Sequence, residues 1–89
     1  MKTNDVVTVV TIAGEYIGKF DQFEENGTLS IKDPRVLINQ DGQMGFAKGI
    51  CMTGNLEPDT VAFKDYVYVT PTSEEFEQQY RSATSGILI

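Results

Sequence analysis

The chain has 89 residues, with thirteen acidic and seven basic side chains, one cysteine and no histidine. A domain of this size buries only about 60 to 65 % of the surface of its unfolded chain, so further stabilisation is expected. The single Cys51 excludes an intramolecular disulfide, and no histidine or thiol cluster offers a metal site, which leaves oligomerisation. The net charge of -6 argues against bulk electrostatic attraction to duplex nucleic acid.

The N-terminal residues 1–5 are polar and precede a run that is too short to span a bilayer. Neither a signal peptide nor a membrane helix is predicted, so no membrane partner is expected. The reducing cytoplasm is the expected location, which means the host cytoplasm if the protein is encoded by a phage. The sequence has no catalytic signature and predicts neither an enzyme nor a bound cofactor.

Turn signals at short, regular intervals predict an all-β fold. The β-branched residues 6–13 predict a first strand, and residues 15–23 a second. Asn26 and Gly27 then predict a type I′ hairpin turn, in which both residues have positive φ.

The third strand begins at Thr28, with alternating apolar residues, and Pro34 predicts a bend or an edge position within it. Residues 40–43 predict a turn and residues 44–53 a fourth strand, in which glycines require a bend or a close neighbouring backbone. Residues 54–59 are expected to form a loop.

A fifth strand is predicted over residues 60–70. A kink or bulge is predicted at Lys64 and Asp65, because the alternation of side chains places Asp65 on the same face as the apolar residues of this strand. Thr72 and Glu75 have the spacing of a capping box, which predicts one short helix over about residues 73–82.

Phe76 and Tyr80 share a face of this predicted helix and would cover an open end of the sheet. The remaining residues 83–89 form an apolar tail, which is expected to dock on a neighbouring subunit.

Residues 18–31, GKFDQFEENGTLSI, resemble the first motif of the Sm and LSm family, which includes Hfq. The positions in step with that motif are Gly18, Phe20, Phe23, Glu24, Leu29 and Ile31. The C-terminal part resembles the small Sm-like proteins of marine cyanophages. The resemblance covers about residues 6–87 and implies a small five-stranded, strongly bent antiparallel Sm-like (SH3-type) barrel over about residues 6–70, followed by the helix.

The chain departs from the family pattern at several places. Glu24 stands where the family has aspartate, Thr28 where it has asparagine, and Asn26 where an aromatic residue or histidine is common. The second motif has two possible placements: residues 52–55 lack its arginine, and residues 63–65 lack its glycine. The family's N-terminal helix has no room before the first strand.

The resemblance implies a homo-oligomeric ring of about five to seven subunits, in which edge strands of neighbours pair. The candidate interface residues are Tyr66, Val67, Tyr68 and Val69. The alternative is that the two tyrosines pack under the C-terminal helix.

The resemblance also implies that single-stranded RNA, or DNA, binds at the turn between strands two and three and at the loop between strands four and five. The candidate binding residues are Glu24, Asn26, Thr28, Thr53, Gly54, Asn55 and Lys64. Each is also explained as an ordinary turn or loop residue. Because carboxylates repel phosphates, binding would depend on base contacts or use a face with Lys19, Lys32, Arg35 and Lys48.

Two functions remain open. The first is a ring that binds single-stranded nucleic acid and takes part in RNA or DNA processing or protection. The alternative is a phage-derived protein-interaction or assembly module without nucleic-acid binding, which the acidic composition favours. An unrelated SH3-like or OB-type barrel is the remaining interpretation.

Overall fold

The computed structural model describes residues 1–48 and 53–84. These residues form an antiparallel β-sheet of six strands and one C-terminal helix, which confirms the predicted all-β fold with a terminal helix. The elements are β1 (Val6–Thr11), β2 (Gly14–Phe23), β3 (Leu29–Gln40), β4 (Gln43–Ala47), β5 (Thr60–Phe63), β6 (Tyr68–Pro71) and α1 (Glu74–Thr84). The strand order is β4-β3-β2-β1-β6, with β5 also paired to β3, and the described sheet is not closed.

Strands β2 and β3 bend at the same place. The pairing register shifts between Ile17 and Lys19, so Gly18 lies in a bulge. A Cβ atom at Gly18 would lie 2.8 Å from the Ile31 side chain, so only glycine fits this close approach. On β3, Asp33 has a φ of 52° and precedes the buried Pro34. The bend predicted at Pro34 is therefore confirmed.

Strands β4 and β5 pair with the same edge of β3. Ala47 at the end of β4 lies opposite Val36, and Thr60 at the start of β5 lies opposite Lys32. Both strands run antiparallel to β3, so they are two parts of one interrupted edge. β4 is thus shorter than the predicted fourth strand; residues 49–52, including Cys51, lie outside the described residues.

The prediction of a single fifth strand over residues 60–70 is wrong. β5 ends at Phe63 and pairs with β3, whereas β6 begins at Tyr68 and pairs with β1. The interruption includes the predicted kink at Lys64 and Asp65, where the alternation of side chains would otherwise place an apolar residue at position 65. There the chain leaves the β3 edge and crosses to the β1 edge of the sheet.

The type I′ turn lies at a different hairpin from the predicted one. Of Asn26 and Gly27, only Gly27 has a positive φ (87°), and the loop has three residues instead of two. At the β3–β4 turn, Asp41 (φ 53°) and Gly42 (φ 81°) both have positive φ, as a type I′ turn requires.

The main core lies on the inner face of the curled sheet. Its buried side chains come from the first three strands: Val7, Val9, Phe20, Leu29 and Ile31. Tyr16 of β2 reaches Phe63 of β5, with ring centroids 5.1 Å apart, although these two residues pair with distant positions of β3. The sheet is therefore strongly curled about this core.

The helix α1 packs on the opposite face of the sheet. Tyr80 is fully buried there, in a cluster with Val6 and Ile17, and its hydroxyl donates to the Asp33 carbonyl oxygen at 2.5 Å. Phe46 of β4 makes edge-on ring contacts with Phe76 and Tyr80, each at 6.3 Å. The predicted shared face of these two helix residues is thus the face that packs on the sheet.

The predicted capping box of Thr72 and Glu75 is wrong, because α1 begins two residues after Thr72. The Thr72 hydroxyl instead shares a hydrogen bond of 2.8 Å with the Thr8 hydroxyl, and its amide donates to the Val6 carbonyl at 3.1 Å. The helix also continues to Thr84, so the first two residues assigned to the tail are helical. Among the residues described, no helix is long and apolar enough to cross a membrane.

Candidate nucleic-acid interface

The β2–β3 turn holds three of the candidate binding residues. The Glu24 amide donates to the Thr28 carbonyl at 2.7 Å, and the Gly27 amide donates to the Glu24 carbonyl at 2.9 Å. The Asn26 side-chain oxygen accepts from the Thr28 amide at 3.0 Å. The turn is therefore held by its own hydrogen bonds, and the Asn26 carbonyl group has a structural role.

The segment between β5 and β6 meets this turn. The Tyr66 hydroxyl donates to the Gly27 carbonyl oxygen at 3.0 Å. Lys64 lies two residues earlier, directly after Phe63, which pairs with Leu29 at the start of β3. The structure thus brings Lys64 and the β2–β3 turn to one end of the sheet. We call residues 23–28 and 64–66 the turn end.

The other placement of the second motif lies in the segment between β4 and β5. There the Asn55 side-chain oxygen accepts a hydrogen bond from the Glu57 backbone amide at 2.9 Å. The Asp59 backbone carbonyl accepts one from the Asp33 backbone amide at 2.8 Å. Asp33 is four residues beyond Leu29, a distance of about 13 Å along a strand. The segment therefore meets the middle of β3 through Asp59, and no contact described for Thr53, Gly54 or Asn55 joins them to the turn end.

Two aromatic residues of the turn end were not among the predicted binding residues. The Phe23 side chain is 47 % exposed at the end of β2, although it contacts Phe20 with ring centroids 5.2 Å apart. Tyr66 is half-buried beside the turn. Exposed aromatic rings are the groups on which unpaired bases stack. The sequence signal was the aromatic residue before Glu24, but the motif allows an aromatic or an apolar residue at that position and so does not mark it for binding.

The turn end is acidic. It carries three carboxylates, those of Glu24, Glu25 and Asp65, and one ammonium group, that of Lys64. The Glu24 carboxylate accepts a hydrogen bond from the Gln22 side chain at 2.9 Å. Phosphate groups would meet net repulsion here. Any nucleic acid would therefore have to be held mainly through its bases.

The alternative basic face is largely neutralised by carboxylates. Lys19 and Lys32 are cross-strand neighbours, but the Lys32 ammonium lies 3.6 Å from the Asp21 carboxylate. The other ion pairs are Arg35–Asp33 at 2.9 Å, Lys48–Glu57, and Arg81–Glu77 at 3.0 Å. The hydrogen bond from Lys48 lowers the pKa of Glu57. Four of the seven basic side chains are therefore paired.

The four candidate interface residues divide into two pairs. Val67 and Tyr68 are 62 % and 54 % exposed, at the start of the edge strand β6. Tyr66 and Val69 instead pack against the main core. Tyr66 bonds to Gly27 at the turn end, whereas Tyr68 is exposed and lines a groove that Phe76 of α1 also lines. Only the first pair is thus available for contact with another chain.

Within residues 1–48 and 53–84, no group of three acidic or thiol side chains is placed to hold a metal ion. No family model, curated protein sequence or solved structure matches the chain.

Proposed function

We propose that this chain is the subunit of an Sm-like homo-oligomeric ring that binds single-stranded nucleic acid at the turn end. The observation that carries the proposal is the hydrogen bond between Tyr66 and Gly27, which holds the β2–β3 turn and the β5–β6 segment together. In the family that the sequence resembles, the turn between strands two and three and the loop between strands four and five form the binding rim. The β5–β6 segment would take the place of that loop, since residues 63–65 are one of the two placements of the second motif.

The strand plan supports the barrel and the ring. β2 and β3 bend together at Gly18 and Asp33, as a sheet that curls into a small barrel must do. The sheet has two edges, formed by β6 on one side and by β4 with β5 on the other. If the β6 edge of one subunit paired with the β4–β5 edge of the next, the backbone hydrogen-bonding groups of both edges would be satisfied and the subunits would close a ring.

The side chains of the turn end suit base recognition. The Phe23 ring offers a stacking surface, and the Asn26 amide group offers hydrogen bonds to base edges. Lys64 supplies one positive charge for a phosphate. Since three carboxylates lie nearby, we expect modest affinity and a weak dependence on salt.

Fluorescence anisotropy with labelled oligo-U and oligo-A, and with DNA of the same lengths, tests this proposal at low salt. We expect saturable binding that falls by about 5- to 150-fold in Phe23→Ala, because base stacking contributes roughly 1 to 3 kcal/mol per base. In Lys64→Ala, binding should weaken and the salt slope should decrease by about 0.7.

Lys48→Ala is the matched control for Lys64→Ala. It removes the same charge at a residue that is paired with Glu57 outside the turn end, so oligonucleotide binding should be unchanged. If folded wild-type protein binds none of these oligonucleotides at low salt, the nucleic-acid proposal is wrong.

The second candidate is an assembly module without nucleic acid. It is favoured by the pairing of Lys32, Arg35, Lys48 and Arg81 with carboxylates, which leaves little positive charge for phosphates. For this function the same titrations should give no binding, whereas a stable oligomer should still form.

A further inference from the structure

An apolar groove with a volume of about 390 Å³ lies on the face of the sheet that carries α1. It extends from β4 to β6, and the first turn of α1 borders it. Most of its lining is apolar and includes Val10, Leu37, Met44, Phe46, Tyr68 and Phe76. Polar atoms come from Glu15, Ser73 and three threonines, so the groove is suited to an aliphatic segment with a polar backbone.

The helix covers only the neighbouring part of this face. Tyr80 packs there against Val6 and Ile17, whereas the groove lies beside Phe76, nearer to the start of the helix. Met44 and Tyr68, on opposite sides of the groove, are 49 % and 54 % exposed. Apolar surface of this kind usually marks a contact site.

The chain itself contains a segment of matching chemistry. Residues 85–89, Ser-Gly-Ile-Leu-Ile, lie outside the described residues and carry three consecutive large aliphatic side chains. They follow α1 directly. An aliphatic segment and an open apolar groove on one molecule favour each other as partners, because their contact removes apolar surface from water.

The direction of α1 makes a second copy the better source of this segment. Thr84 lies eight residues beyond Phe76, about 12 Å along the helix and away from the groove. If residues 85 and 86 reversed the chain, residues 87–89 would extend back by only about 10 Å. They would therefore stop about 2 Å short of the level of Phe76 and would not reach Tyr68 on the far side of the groove.

We propose that residues 85–89 of one copy occupy the groove of a second copy, with the side chains of Ile87, Leu88 and Ile89 against its apolar lining. This contact is additional to any pairing of sheet edges. It does not depend on nucleic-acid binding, since the turn end contributes no residue to the groove.

Disulfide trapping between two full-length variants tests the proposal. Leu88→Cys and Thr70→Cys, each with Cys51→Ser, carry different tags and are refolded together before mild oxidation. We expect a disulfide between the two chains. Leu88→Cys mixed with Glu25→Cys is the control, because Glu25 is exposed outside the groove, and its yield should be at least about tenfold lower.

Met44→Cys, on the opposite side of the groove, is a second trapping position in case Thr70→Cys does not fold. Equal yields with the groove and control positions would overturn the proposal. So would a disulfide that forms only within a single chain carrying both Leu88→Cys and Thr70→Cys, since the tail would then occupy its own groove. Oligonucleotide titration of Leu88→Asp separates the two proposals, because nucleic-acid binding should persist when the tail contact is lost.

Discussion

Gly18 is the residue at which the bend of the sheet can be tested most directly. An added Cβ atom would lie 2.8 Å from Ile31 Cδ1 and 2.9 Å from the Lys32 carbonyl oxygen. The backbone oxygen cannot move without disturbing the pairing of β2 and β3. Gly18→Ala should therefore lower the free energy of unfolding by about 1 to 3 kcal/mol, measured by urea denaturation.

Gly45→Ala is the matched control. Gly45 also lies in a strand, but no atom lies within 4 Å of its added Cβ. Its change in unfolding free energy should stay within about 0.5 kcal/mol. Equal effects of the two substitutions would contradict a steric requirement at Gly18.

Tyr80 should make stability depend on alkaline pH. Burial, with a contribution from the Asp33 carboxylate, raises the pKa of the Tyr80 phenol well above its ordinary value of 10.0. Above pH 10 the unfolded chain therefore releases a proton that the folded chain retains. The free energy of unfolding should be unaffected by this group below pH 10 and should fall by about 1.4 kcal/mol per pH unit above it.

Urea denaturation between pH 8 and 11 checks this dependence. Tyr80→Phe should be less stable by about 1 kcal/mol at pH 8, since the Asp33 carbonyl loses its donor, and should lack the alkaline loss contributed by Tyr80. Tyr68→Phe, at an exposed position, should keep the wild-type profile. If Tyr80→Phe showed the same pH dependence of the unfolding free energy as the wild type, the alkaline loss of stability could not be assigned to Tyr80.

At the scale of elements, the docking of α1 depends on few side chains. The Phe46 ring contacts the rings of Phe76 and Tyr80 edge-on. Phe46 thereby connects β4 to the helix, beside the buried cluster that contains Tyr80. A double-mutant cycle of Phe46→Ala and Phe76→Ala should give a coupling energy of about 0.5 to 1.5 kcal/mol in thermal or urea unfolding. Additive effects would mean that the two rings do not stabilise each other.

The sequence was a good guide to elements with strong local signals and a poor guide to those set by distant pairing. Alternation from Leu29 and the proline at 34 predicted the long, bent β3. The hairpin at Asn26 was predicted with the wrong loop length, because a second register shift between Phe20 and Gln22 changes where β2 and β3 stop pairing. That bulge has no local signature.

For the candidate site, too, the sequence indicated the local turn but not the contacts made by distant residues. The turn residues Glu24, Asn26 and Thr28 followed from the motif, but motif spacing could not distinguish between the two placements of its second part. Pairing of Phe63 with Leu29 brings Lys64 to the turn, and this is a contact between residues far apart in sequence. The exposure of Phe23 likewise depends on where β2 ends.

At the scale of the whole molecule, the two open edges of the sheet predict self-association. Light scattering across a dilution series should give a mass that does not change with concentration, because edge pairing in a closed ring leaves no unpaired strand. The proposed Sm-like ring would have about five to seven subunits. Lys64→Ala is expected to keep this mass, since the role proposed for its charge is in nucleic-acid binding and not in edge pairing. A stable, folded monomer at all concentrations would contradict the ring.

The interruption between β4 and β5 has a consequence for how the protein can be altered. β4 ends at Ala47 opposite Val36 and β5 begins at Thr60 opposite Lys32, so the two ends of the connecting segment are anchored a short distance apart on the same strand. Because the entropy of closing a loop grows only slowly with its length, extra residues here should be well tolerated. The segment is therefore a suitable place to insert an epitope or a whole domain while the hairpins of the sheet stay intact.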